Sequence, residues 1–152
     1  MIALHLVARW AQLYSDDRAV SSAVTYLHLA GVVVGGGVAI AADRAAIAAD
    51  GTDAVAVAWP VHRWVVMGLA VIVVSGVLMM LADLHTYVTS AVFWIKMGLT
   101  LVLLGNGYLR LQAEKAASRG MVAAWHRLRS TSIASLVLWL VILLAGTILG
   151  SS

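Results

Sequence analysis

Two ionisable side chains, His28 and Lys96, stand inside long apolar stretches of a 152-residue chain. A charge near the centre of a membrane span costs roughly 2.5–3.5 kcal/mol on insertion scales, so it is expected to have a partner or a task. An imidazole can ligate haem iron or carry a proton. An ammonium can pair with a carboxylate such as a haem propionate, serve as a second ligand, or handle a proton. Gly31 and Gly35 lie three and seven residues after His28, on its own helical face, and Gly36 and Gly37 follow. That stripe suits close helix packing of the small-xxx-small kind. It equally clears room for a flat macrocycle beside an axial imidazole. His28, Lys96, Gly31 and Gly35 therefore form the candidate cofactor site, with His28 as the metal ligand.

The elements that must position these residues follow from composition. The chain is 62% hydrophobic and 11% charged, with mean hydropathy +0.97. So few charges cannot clothe a soluble domain of this length. Four apolar stretches, at about 19–42, 64–84, 91–109 and 131–149, each approach the ~20 residues that cross ~30 Å of hydrocarbon. Polar and apolar positions do not alternate, which argues against a membrane β-barrel. The expected fold is an all-α integral-membrane four-helix bundle, forming a single domain over residues 1–152.

Residues 1–14 are too short to span. As a helix they place Ile2, Leu6, Trp10, Leu13 and Tyr14 on one face and His5, Arg9 and Gln12 on the other, which predicts an interfacial amphipathic helix. Ser15, Asp16 and Asp17 supply a turn and N-cap for the first span. The first loop runs through Asp50-Gly51-Thr52-Asp53 to Trp59-Pro60, where the sole proline suits a helix start. The connection from Asp83 to Ser90 is short and predicts a tight hairpin of the second and third spans.

Basic residues set the orientation. Arg44, Arg63, Arg110, Lys115, Arg119, Arg127 and Arg129 fall on the face of the first and third loops, against Arg9 and Arg18 on the face of the termini. Lys and Arg mark the cytoplasmic side, so both termini are expected to face the periplasm of a bacterial inner membrane. The net charge of +3 has this origin and does not point to nucleic acid. No signal-peptide pattern opens the chain, so its N-terminus is expected to be retained.

Depth follows from 1.5 Å of rise per residue. His28 falls roughly 5 Å outward of the first span's centre and Lys96 roughly 6 Å outward of the third's, on the same side. His62 and His85 lie about 16 Å or more from the second span's centre, at its two surfaces, and His126 precedes the fourth span. Of five histidines, His28 alone is intramembrane, which disfavours a two-haem wire through His62 and His126. Lys96 has a structural alternative, snorkelling outward toward Asp83 or the interfacial water. Met79, Met80 and His85 offer soft ligands to Cu(I), although methionine is common in any apolar helix. Asn106 suits an interhelical hydrogen bond, Ser132, Ser135 and Trp139 suit helix packing, and Trp10, Trp59, Trp64, Trp94 and Trp125 suit aromatic belts. With no cysteine, thiolate metal sites, Fe–S clusters and covalent haem attachment are excluded.

The segments Tyr26-Leu27-His28-Leu29-Ala30-Gly31 with Ala42-Asp43-Arg44, His62-Arg63 with Gly68, Ser75-Gly76 and Ala82-Asp83, and Phe93-Trp94-Ile95-Lys96 with Gly105-Asn106-Gly107 resemble small four-helix bacterial membrane proteins. These are similar to the copper-resistance D membrane domain. The pairing of His28 with Trp94-x-Lys96 also resembles HemJ-type protoporphyrinogen oxidases, which implies haem binding through His28 and Lys96. The chain departs from that family in lacking its basic, Asn-Glu-bearing segment before the last span. The expected function is a b-type haem protein exchanging electrons with quinol or a partner subunit. The alternative is a non-catalytic accessory subunit of a larger membrane complex.

Overall fold

The computed structural model describes residues 2–48, 53–119 and 121–151, with the backbone alone at 2–4, 53–60, 122 and 151. Its described elements are all helices: α1 (Ile2–Asp16), α2 (Arg18–Ala48), α3 (Asp53–Ala82), α4 (Leu84–Thr89), α5 (Ala91–Ala117) and α6 (Val122–Ser151). Four segments are long and apolar enough to cross a bilayer: Arg18–Ala48, Val61–Ala82, Ala91–Ala117 and Ala123–Gly150. The chain is an all-α helical bundle of multi-pass membrane type.

Local chemistry explains the helix starts. The Asp17 carboxylate accepts from the amides of Ala19 (2.8 Å) and Val20 (3.4 Å), the expected cap of α2. Asp83 caps α4 through the Thr86 amide at 3.1 Å, and Ser90 caps α5 through the Phe93 amide at 3.4 Å. The helices overrun the apolar stretches, however. The first span continues to Ala48, the third to Ala117, and the fourth begins near Ala123. Ala, Gln, Glu, Lys and Arg are strong helix formers, so the backbone stays helical after hydrophobicity ends. Arg110, Lys115, Arg127 and Arg129 consequently stand on helices rather than in loops. Likewise α3 begins at Asp53, seven residues before Pro60, carried by Ala54, Ala56 and Ala58. The expected turn at Asp50-Gly51-Thr52 lies outside the described residues.

Helices α2 and α3 form one hairpin, α5 and α6 the other. The first is a backbone-to-backbone joint: a Cβ on Gly68 would run into the Gly35 backbone, and one on Gly31 would fall 3.1 Å from the Gly68 carbonyl. Directly after Gly31 the helix widens into a π turn, Val32–Gly36. The extra residue shifts the buried stripe of α2, so that its second half packs on α6 while still meeting α3. Before it, Val24, His28, Gly31 and Gly35 form the inward stripe toward α3. After it, Gly36 lies against the Trp139 ring of α6, and Asp43 and Ala46 are buried.

The hairpins meet through the second half of α2, which packs on α6. At mid-height Leu103, Trp139 and Ile142 close over Ala39, Ile40, Leu69 and Ile72. Beyond that level α2 residues 18–31 make no extensive contact with α5 or α6, and α3 makes none with α5. The expected tight hairpin of the second and third spans is therefore absent: α4 bridges their ends without zipping them together. The bundle is closed at the end carrying the α2–α3 and α5–α6 connections. It opens toward the end carrying the termini.

Helix α1 lies against α3 and α2 at that open end. The Trp10 indole donates to the Leu78 carbonyl at 2.8 Å and its ring meets Tyr14 at 5.9 Å. Its half-buried stripe is Val7, Trp10, Ala11 and Tyr14, while His5, Arg9 and Gln12 are exposed as expected. Leu6 and Leu13 turn outward, 61% and 48% exposed, so the packed face is rotated from the expected one.

Adding a methyl group at Gly68 must separate α2 from α3. Gly68→Ala is expected to lower stability by about 1–3 kcal/mol, as overpacking does, measured as thermal unfolding in mild detergent. Gly98→Ala, with nothing within 4 Å of the new Cβ, is expected to leave it unchanged. Equal stability of the two variants would remove the joint from the account.

Candidate functional site

His28 sits one turn above the glycine joint, on the face of α2 that meets α3. Its Nδ1 is 3.0 Å from the Ser75 hydroxyl. That hydroxyl has a single proton, and it is directed at the Val71 carbonyl (2.5 Å), with the Ile72 carbonyl at 3.2 Å. Ser75 therefore accepts from His28, and Nδ1 carries the hydrogen. In a neutral imidazole so fixed, Nε2 bears the lone pair, and it points to the side of the ring away from Ser75. The ring lies over Gly76, where a Cβ would stand 3.5 Å from Cε1.

Lys96 approaches from the other hairpin. Its Nζ lies near α6, 3.4 Å from where a Cβ of Gly146 would be, and within Coulombic range of His28. The matched depth read from the sequence thus brings the two side chains to one level of the open end. Among the described residues no carboxylate pairs with Lys96. Asp83 in particular is exposed and committed to its cap, and Thr86, through its hydroxyl and then its amide, holds the carboxyl below the ordinary range. The snorkelling pair with Asp83 does not form.

The two glycines assigned to the site have a different place. The space beside Gly31 and Gly35 is filled by the backbone of Gly68 and by Ile72, at 3.0–3.2 Å from the positions of added Cβ atoms. They seat α2 on α3 and leave no slot for a planar ligand. The glycines that flank the polar side chains are instead Gly76 and Gly146. Neither was distinguished by the sequence, because each becomes relevant only through the helix opposite.

A second polar cluster lies at the closed end and was missed. Arg110 Nε stands 2.8 Å from Asp43 Oδ1, and Arg110 Nη1 stands 3.5 Å from Glu114 Oε2. The hydroxyls of Ser132 and Ser135 are within reach of the Asp43 carboxylate. Asp43 is 2% exposed and Ser132 wholly buried. A signal existed, since Asp43 is an acid that directly follows the first apolar stretch, 19–42. Drawing the third span to end at 109, however, put Arg110 and Glu114 out of view. Beside this cluster Asn106 donates to the Thr131 carbonyl at 2.8 Å, the interhelical bond expected of it.

The remaining histidines stay apart. His62, His85 and His126 are exposed, and among the described residues no three His, Cys, Asp or Glu side chains converge as a metal cage. No protein-family model, characterised protein or solved structure matches the chain.

The hydrogen-bond assignment has a direct check. With 15N-labelled histidine in lipid, His28 is expected to show a protonated Nδ1 and an unprotonated Nε2, and Ser75→Ala is expected to give a tautomer mixture. A protonated Nε2 with bare Nδ1 in the unsubstituted protein would contradict the assignment.

Proposed function

We propose that this chain is a membrane-embedded b-type haem protein of a bacterial inner membrane, exchanging electrons with quinol or a partner subunit. The observation that carries the reading is the His28 imidazole, held at Nδ1 by Ser75 with a lone pair on Nε2, opposite an ammonium that has no carboxylate partner among the described residues. Ligating histidines usually donate their other ring N–H to an acceptor, which fixes ring orientation and raises basicity. Ser75 fills that role. Lys96 supplies the charge that a propionate carboxylate would pair with. Gly76 and Gly146 keep bulk away from the two side chains, and the separation of α2 residues 18–31 from α5 and α6 leaves the wall between hairpins free of packed helix. Bound there, haem would supply one-electron chemistry, and the protein's part would be ligation, orientation and exclusion of water.

The exposed Arg44, Arg63, Lys115, Arg119, Arg127 and Arg129 all stand at the closed end. By the bias of basic residues toward the cytoplasm, that end faces inward and the His28 site lies in the periplasmic half, with both termini outside. The absence of cysteine makes this easy to read. Asp16→Cys is expected to react with an impermeant maleimide on intact spheroplasts and Ser118→Cys only after lysis, and the reverse pattern would invert the topology.

Protein purified in mild detergent after expression with haem supply is expected to show a Soret band and a reduced α-band. His28→Ala is expected to abolish both. Ser75→Ala is expected to retain haem with an altered midpoint potential, and Lys96→Ala to weaken haem retention about tenfold, the worth of one 1.4 kcal/mol interaction. Folded protein that stays colourless would overturn the reading, and co-purification with a stoichiometric larger membrane protein would then favour an accessory subunit.

A further inference from the structure

The cluster at the closed end gathers two carboxylates around one guanidinium. Arg110 reaches Asp43 at 2.8 Å and Glu114 at 3.5 Å, and Asp43 and Glu114 are 2% and 8% exposed. With all three ionised, the cluster holds one surplus negative charge where few water molecules can solvate it. Asp43 Oδ1 meets its cation at 2.8 Å without an aligned hydrogen bond. No hydrogen bond reaches its Oδ1: Arg110 Nε is close, but its N–H is aimed at the Ser132 hydroxyl, 3.4 Å away.

Among the described residues, the surroundings offer no second cation in the buried zone. From α2 the cluster meets Asp43 itself, and from α5 Arg110 and Glu114. The groups on α6 that face it are the neutral hydroxyls of Ser132 and Ser135. From α3, His62 is within Coulombic range of Glu114 but is exposed. Arg44, Arg63, Lys115, Arg127 and Arg129 at the same end are exposed, where solvent and salt screen them. The smallest cation that can restore neutrality without new ligands is a proton.

We infer that Asp43, Arg110 and Glu114 form an intramembrane proton-binding site that holds one proton between its two carboxylates at neutral pH. The proton comes from water, adds to a carboxylate oxygen, and takes the cluster from a charge of −1 to 0. The oxygen that carries it belongs to the coupled pair rather than to either residue. Exchange with solvent runs through Glu114, whose side chain retains 11% exposure, with His62 beside it at the surface. Asp43 forms the inner end of the site.

Infrared difference spectroscopy of the full chain in lipid nanodiscs tests this. At about pH 7 the unsubstituted protein is expected to show a protonated-carboxyl C=O band that shifts down in D2O. Glu114→Gln and Asp43→Asn should each remove the band, because either leaves one carboxylate for one guanidinium. Glu114 lies at the rim of the cluster, so its variant keeps the Asp43–Arg110 contact and serves should Asp43→Asn fail to fold. Lack of the band in folded unsubstituted protein at neutral pH would overturn the inference. So would a band that persists unchanged in Glu114→Gln.

Discussion

The contact between Arg110 and Asp43 is the constraint on which the arrangement of the two hairpins depends. It joins α5 to α2 in a region where both groups have given up most of their water. Loss of one partner of a buried pair typically costs about 3–5 kcal/mol, because the other charge is left stranded. The surrounding apolar contacts are small: Ala46, Ala113 and Leu128, with Trp125 against them. Two alanines, a leucine and a tryptophan fill space without specifying a crossing. A charged pair admits few alternatives in a low-dielectric setting, so it fixes which faces of α2 and α5 must meet.

That requirement would conflict with the glycine joint if α2 were a uniform helix. Gly31 and Gly35 must lie flat on Gly68 of α3, whereas Asp43 must enter the cluster between α5 and α6. The π turn at Val32–Gly36 lies between the two demands and reorients the helix by one inserted residue. Gly36, within it, is the point at which α2 begins to touch α6, at Trp139, while its later residues stay against α3. The separation of the hairpins above this point follows from the same geometry. Once α2 residues 18–31 are committed to α3, they cannot also cover α5 and α6. His28 and Lys96 are thereby held on facing walls rather than in a sealed core.

How much of this the sequence displayed depends on what each feature needs. The spans, the Asp17 cap and the common level of His28 and Lys96 rest on counting along one helix, and they were legible. The role of Gly31 and Gly35 was not, because a glycine stripe serves a helix or a macrocycle equally, and only Gly68 on the opposite helix decides. Ser75 was unremarkable as one serine in an apolar helix until Val71 was seen to take its proton and His28 to need its lone pair. Arg110 and Glu114 were lost to a boundary error: hydropathy ends near 109, but alanines and long charged side chains keep α5 helical to Ala117. The π turn left no mark in residue types beyond glycines that suit an ordinary helix as well.

The charges at the two ends cannot settle each other's account. Lys96 and Arg110 are 14 positions apart on α5, or about 21 Å along its axis. At an effective dielectric of 20, unit charges at that separation interact by only about 0.8 kcal/mol, against about 4 kcal/mol at 4 Å. The surplus cation at Lys96 and the surplus anion at Asp43 and Glu114 are therefore nearly independent problems, although they sum to zero. Each end must be neutralised from its own surroundings. At the closed end the pocket is tight and already lined with carboxylate oxygens, so a proton suffices. At the open end the ammonium lies within Coulombic range of an imidazole whose Nε2 bears a lone pair, and among the described residues no carboxylate pairs with it. Under the proposed reading, haem would meet both needs, a propionate pairing with the ammonium and the iron with the imidazole nitrogen.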